Sequence, residues 1–90
     1  MTETIVREVG DFIVANFLFG QESQRPTPDQ SFLESSIIDS TGILEVVAFV
    51  EQQYHISIGD RELMPENLDS LTNLSAFVLR KMAQSSDDAA

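Results

Sequence analysis

Two Asp-Ser pairs, Asp39-Ser40 and Asp69-Ser70, are the residues whose types and spacing could do chemistry. Each directly precedes a run of helix-periodic apolar residues. Each is therefore first a candidate N-cap, in which a side-chain oxygen accepts a backbone N–H of the first turn. The same place has a second property. First-turn N–H groups lack intrahelical partners and carry the positive end of the helix dipole, so a phosphate held on such a serine is electrostatically favoured. Gly42 is expected to keep the surroundings of Ser40 sterically open, so that a modifying enzyme can reach an exposed hydroxyl there. Charge and periodicity alone do not choose between Ser40 and Ser70.

Catalysis by the chain itself has little to work with. A Ser-His-Asp triad would have to use His55, the sole imidazole, and no serine sits in a Gly-x-Ser-x-Gly elbow. His55 reads as a residue at a helix C-terminus, where the dipole favours it. With no cysteine and one histidine there is neither a disulfide nor a zinc cluster to expect. Gly10, Gly20, Gly42 and Gly59 are isolated, so no glycine-rich phosphate loop is present.

The elements that must position these residues follow from apolar spacing. Ile5, Val6, Val9, Phe12, Ile13 and Phe17 recur in steps that place them on one face of a helix, predicted over Glu3 to about Phe19 with Gly20 as its stop. Residues 20–38 carry Pro26 and Pro28 among polar neighbours, which precludes a helix. Phe32, Leu33, Ile37 and Ile38 make this a long ordered loop anchored on the bundle. A second helix begins at Asp39 or Ser40 and runs to about Tyr54, its broad stripe of Ile43, Leu44, Val46, Val47, Phe49, Val50 and Tyr54 packed on more than one side. Glu45, Gln52 and Gln53 face solvent there, together with Glu51. Ile56-Ser57-Ile58 alternates like a strand but has no partner strand, so it is read as extended with both isoleucines in the core.

One short helical turn is expected over Asp60–Met64, with Pro65 restricting the residue before it. A last helix comes next over about Ser70–Lys81, with Arg80 and Lys81 near its C-terminus. The fold class is therefore all-α: a small helical bundle with three main helices, one short helical turn and a long ordered first loop. Residues 1–82 make a single domain, and residues 83–90 are expected to form a disordered tail.

Fifteen acidic residues against five basic ones give a net charge of −10. That field repels nucleic acid, whose binding relies on Lys and Arg displacing counterions, and it disfavours anionic membranes. It suits partners with basic docking faces, and equally it keeps a small domain soluble. No run approaches the ~20 apolar residues needed to cross a bilayer. The N-terminus lacks a basic start and an apolar run, so a cytoplasmic location is expected. Charge and the lack of a heptad seam point to a monomer.

The arrangement from about Ile5 to Met82 resembles the acyl carrier proteins and the related peptidyl and D-alanyl carriers. In that family a first helix is followed by a long loop, and an Asp-Ser pair opens the second helix. The run Ile37-Ile38-Asp39-Ser40-Thr41-Gly42, leading into Leu44-Glu45-Val46-Val47, is the most specific match, and Phe32 stands at a similar spacing before Ser40. The Ser-x-Gly form is closer to the stand-alone and D-alanyl carriers. The resemblance implies that Ser40 receives 4′-phosphopantetheine from coenzyme A, and that Asp39 helps engage the phosphopantetheinyl transferase and its metal ion. It implies a docking surface on the second helix, with Thr41, Ile43, Leu44, Glu45 and Glu51 as contacts. Ser70 then reads as a cap.

The resemblance also implies a carrier with no catalytic activity and no resident metal. A loading ligase or synthetase would supply acyl or aminoacyl groups as thioesters, and a downstream transferase would collect them. The apolar seam between the second helix and the Ile56–Met64 segment could shelter a cargo, or be ordinary core at Val47, Phe49, Ile58 and Leu63. An unmodified acidic helical adaptor for protein–protein interaction is the other reading.

Overall fold

The computed structural model describes the backbone of residues 2–89 and the side chains of residues 2–84. Four α-helices follow one another: α1 Thr2–Phe17, α2 Ser40–Tyr54, α3 Pro65–Leu68 and α4 Leu71–Ala89, with short 3-10 turns at Glu22–Gln24 and Asp60–Glu62. No strand occurs among the described residues, so the all-α bundle expected from the sequence is what forms. Helix α4 packs against α1, α2 and α3, and α2 against α1.

The core is the meeting of the predicted stripes. Ile5, Val9 and Ile13 of α1, Val46 and Val50 of α2, and Leu74, Phe77 and Val78 of α4 are buried together. Phe12 stacks on Phe49 with ring centroids 4.3 Å apart, tying α1 to α2. At the far end the Tyr54 hydroxyl donates to Glu8 at 2.7 Å. Burial, and then that carboxylate, push the Tyr54 hydroxyl well above its ordinary value of 10.0.

The long loop is ordered for a physical reason. Phe32 is completely buried, and its N–H donates to the Asp69 carbonyl at 2.8 Å. The Pro28 carbonyl accepts the Thr72 N–H at 2.9 Å, so the loop is sewn to the α3–α4 junction at two points. Ile38 is buried and Ile37 half-buried, as anchors should be. Leu33 is not an anchor: it stays 43% exposed, because the turn that buries Phe32 sends its neighbour outward.

Several boundaries differ from expectation. Helix α1 stops at Phe17, before Phe19, since Phe19 and Gly20 both take left-handed backbone with φ of 55° and 78°. The expected turn over Asp60–Met64 is a 3-10 turn at Asp60–Glu62, and a second short helix, α3, comes after it. Pro65 starts that helix: at the first helical position its fixed φ is suitable and its missing N–H is not needed.

Helix α4 runs past Lys81 to Ala89, so Arg80 and Lys81 are not at its end. Lys81 instead pairs with Glu62 at 3.0 Å, and Arg80 donates to Asn67 at 3.3 Å. The tail expected over residues 83–90 lies, apart from Ala83 and Gln84, outside the described side chains.

Candidate functional site

Asp39 precedes α2 in extended backbone, with φ −89° and ψ −179°. Its Oδ1 accepts the Gly42 N–H at 2.6 Å, and its carbonyl accepts the Ile43 N–H at 3.0 Å. Asp39 is therefore the N-cap, and Ser40 is the first helical residue. Ser40 is exposed, and its hydroxyl makes no hydrogen bond among the described residues. The other Asp-Ser pair is shifted by one position. There Ser70 is the cap, buried to 6% exposure, with its Oγ accepting the Asn73 N–H at 3.1 Å. Asp69 is occupied elsewhere, accepting from the Ser31 hydroxyl and from the Leu33 N–H at 3.1 Å. The geometry separates two serines that look alike in sequence.

Gly42 does not serve as open space. It is buried, and a Cβ built on it would lie 2.9 Å from both Ile38 Cγ2 and Phe17 Cε1. The missing side chain lets the first turn of α2 settle on the end of α1. Ser40 is accessible because it projects elsewhere on the helix, two residues earlier in a 3.6-residue turn.

Beside Ser40 is a cavity of about 270 Å³, lined by Ile43 and Leu44 of α2, Leu33 of the loop, Leu63 and Met64, Pro65 and Leu68 of α3, and Asp69. Its wall is apolar apart from Ser40 and Asp69. The cavity lies nearer the start of α2 than the seam foreseen from sequence. Of the four seam residues only Leu63 reaches it: Val47 is buried core and Phe49 stacks on Phe12. Leu33 and Met64 were not foreseen as neighbours of Ser40, because nothing in their local sequence reports a contact with α2.

The expected docking residues divide. Thr41 and Glu45 are exposed, Leu44 is half-exposed, and Ile43 is half-buried in the cavity wall. Glu51 is engaged within the domain: its carboxylate accepts the Ile58 N–H at 2.8 Å and holds the extended segment against α2. His55 ends α2 in left-handed backbone with φ 57°, and both its N–H and that of Ile56 reach the Glu51 carbonyl. It is a helix stop. Behind the cavity, Glu62 holds its turn in place. The Gly59 N–H and then Lys81 keep its carboxyl below the ordinary 4.5.

A phosphate ester on Ser40 suits this position. The N–H groups of Ser40 and Thr41 have no partner among the described residues, and the dipole of α2 is positive there. The hydroxyl faces solvent, leaving room for a long substituent.

The fold is that of a small helical bundle. No family model matches the chain. It is similar to a probable acyl carrier protein, PigG, of a Serratia species, 32% identical over 71 residues that make up 79% of this chain and 80% of that protein. The chain belongs to the acyl carrier protein family.

Proposed function

We propose that the chain carries acyl or aminoacyl groups as thioesters on a 4′-phosphopantetheine arm attached to Ser40, and presents them to partner enzymes. One observation carries the reading: Asp39 caps α2, leaving the Ser40 hydroxyl exposed at the helix start and without a hydrogen bond among the described residues. Attachment is phosphoryl-type transfer. The Ser40 Oγ bonds to the phosphorus of coenzyme A that bears the pantetheine, the pyrophosphate bridge breaks, adenosine 3′,5′-bisphosphate leaves, and the serine proton passes to a base on the transferase. The arm supplies a flexible thiol that holds cargo at high effective concentration near successive active sites.

Within the domain, Ser40 is the attachment point and Asp39 fixes its register and presents a carboxylate to the transferase and its metal ion. The N–H groups of Ser40 and Thr41 favour the phosphate charge. Thr41, Ile43, Leu44 and Glu45 form the docking face, while the structural bond of Glu51 gives it a smaller part. The apolar cavity beside Ser40 offers shelter to a small apolar cargo. The chain performs no catalysis of its own, acts as a cytoplasmic monomer, and is served by a phosphopantetheinyl transferase, a loading ligase or synthetase and a downstream transferase.

Intact-protein mass after incubation with coenzyme A, magnesium and a phosphopantetheinyl transferase tests this directly. Wild type and Ser70→Ala should gain one phosphopantetheinyl group and Ser40→Ala none. A wild-type protein that gains nothing, even with a transferase from its own organism, would instead support the unmodified adaptor.

A further inference from the structure

Asp69 is bonded through its backbone and its side chain alike. Its N–H donates to the Pro65 carbonyl at 2.9 Å, closing α3, and its carbonyl accepts the Phe32 N–H at 2.8 Å. One carboxylate oxygen accepts the Ser31 hydroxyl, and the other accepts the Leu33 N–H at 3.1 Å. Three successive residues of the long loop, Ser31, Phe32 and Leu33, are thus fastened to one residue at the α3–α4 junction. This strap is also closed on itself. The Glu34 N–H reaches the Ser31 Oγ at 3.1 Å, and the Ser35 hydroxyl reaches the Ser31 carbonyl at 2.6 Å.

The two apolar residues of the strap have different tasks. Phe32 is buried and anchors the loop, whereas Leu33 is largely exposed and lines the cavity beside Ser40. Leu68 is buried and belongs to the cavity floor; Leu33, Leu44 and Met64 line it yet remain exposed, so they form its rim. Leu44 is carried by α2, and Met64 directly precedes α3. Leu33 has no helix to hold it. A loop side chain keeps its place only as far as the bonds of its own backbone fix it, and for Leu33 the N–H bond goes to the Asp69 carboxylate.

Ser40 lines the same cavity, so a group tethered there is held at high effective concentration beside it. An apolar cavity of about 150 Å³ takes up benzene. The cavity here, about 270 Å³, therefore suits a cargo of up to roughly ten carbon atoms.

We propose that Asp69 is a positioning residue for the cargo: its carboxylate holds the Ser31–Leu33 strap so that Leu33 walls the cavity beside Ser40 and keeps water from a sheltered thioester. Asp69 acts through Leu33 and touches neither arm nor cargo chemistry itself. This rests on Ser40 carrying the arm and on the cavity sheltering its cargo.

The test loads the full chain from acetyl- or octanoyl-coenzyme A with a phosphopantetheinyl transferase and magnesium, then follows cleavage of each thioester by hydroxylamine. Free acetyl- and octanoyl-coenzyme A give the intrinsic ratio of the two rates. A cargo sheltered for about nine-tenths of the time is cleaved about tenfold more slowly, so octanoyl on wild type should be protected about three- to tenfold beyond that ratio. Asp69→Ala and Leu33→Ala should each lose most of this protection. Leu33→Ala keeps the Asp69 bonds, since the one at residue 33 is made by the backbone, and its half-exposed side chain makes unfolding no concern. Asp69→Asn should keep the protection, because its amide oxygen still accepts the Leu33 N–H and its NH2 donates to the Ser31 hydroxyl oxygen. Ser70→Ala loses the neighbouring cap but not the strap, and should protect octanoyl as wild type does. Full protection in a folded Asp69→Ala or in Leu33→Ala overturns the proposal, as does an equal loss in Ser70→Ala, which would mark a general loosening. Two results are read on wild type before any variant is compared, and each removes the proposal with its premise. Octanoyl cleaved at the intrinsic ratio ends the shelter, and a chain that takes up no acyl-phosphopantetheine ends the carrier reading.

Discussion

The Gly42 N–H lies 2.6 Å from Oδ1 of Asp39, and that bond decides which member of the Asp39-Ser40 pair serves the helix. Because the aspartate caps, the serine hydroxyl is left without a hydrogen bond among the described residues. At Asp69-Ser70 the serine accepts the Asn73 N–H and the aspartate holds the loop through the Leu33 N–H, so the roles are exchanged. A difference of one residue in cap register separates a free hydroxyl from a buried one.

Substitutions at the two caps should therefore act on different quantities. Asp39→Ala should lower stability by about 1 kcal/mol, as loss of an N-cap does, and Ser70→Ala by a similar amount of roughly 1 kcal/mol. Asp39→Asn keeps a cap oxygen and should unfold in urea within a few tenths of a kcal/mol of wild type. Its rate of phosphopantetheinylation should fall, because the carboxylate charge is gone. An asparagine variant modified at the wild-type rate would leave Asp39 as a cap and nothing more.

Two left-handed residues mark places where the fold is stable despite its sequence. His55 has φ 57° at the end of α2, and Ser36 has φ 60° in the turn before Asp39. Both are exposed, so a glycine at either position loses little contact and gains backbone ease. His55→Gly and Ser36→Gly should each raise stability by about 0.5–1 kcal/mol, read as a shift in the urea midpoint. His55→Gly should also leave phosphopantetheine uptake unchanged. A loss of activity on simple esters in that variant would revive a catalytic histidine.

The helices were legible because burial imposes a period on the chain: Ile5, Val9 and Ile13, or Leu74 and Val78, have one physical explanation each. Asp39-Ser40 was legible as a pair, but not in register, since either residue can cap and the choice depends on where the loop delivers the chain. Pro65 illustrates the limit of local rules, because the same ring that restricts the residue before it also starts α3. The cavity was the least legible part. It forms where Leu33, Leu44 and Met64 meet across three separate segments, and each alone reads as an ordinary core residue.

Acid should weaken the turn that carries Leu63 and Met64. The Glu62 carboxyl accepts the Gly59 N–H at 2.9 Å and pairs with Lys81, both of which favour its ionised form and lower its pKa below 4.5. A depressed folded-state pKa means that the stability it contributes is present above the unfolded value and is lost as pH falls through the folded one. Glu62→Gln should thus be less stable than wild type at neutral pH, and the gap should narrow as pH falls below the ordinary carboxyl value of 4.5. Urea midpoints measured for both proteins from neutral to acid pH check this. A gap that stays constant would mean the bonds from Gly59 and Lys81 do not depend on the charge of Glu62.

Glycine-to-alanine changes inside α1 and α2 should have opposite outcomes, although both glycines lie in helices and are buried. On helix propensity alone each change stabilises by about 1 kcal/mol. At Gly10 the new methyl would meet the Arg25 guanidinium, the far end of a flexible side chain held by Asp11 and Glu22, which can move aside. At Gly42 it would meet Ile38 Cγ2 and Phe17 Cε1, each at 2.9 Å, within packed surroundings that have no such freedom. Overpacking of that kind costs about 1–3 kcal/mol, which exceeds the propensity gain. Gly42→Ala should therefore lower the urea midpoint, while Gly10→Ala leaves it near wild type or raises it. Since displacing the first turn of α2 also displaces Ser40, the Gly42 variant should take up phosphopantetheine more slowly at temperatures where it is still folded. Modification at the wild-type rate in a destabilised Gly42→Ala would mean that the transferase tolerates a shifted helix start, and that exposure of Ser40 matters more than its register.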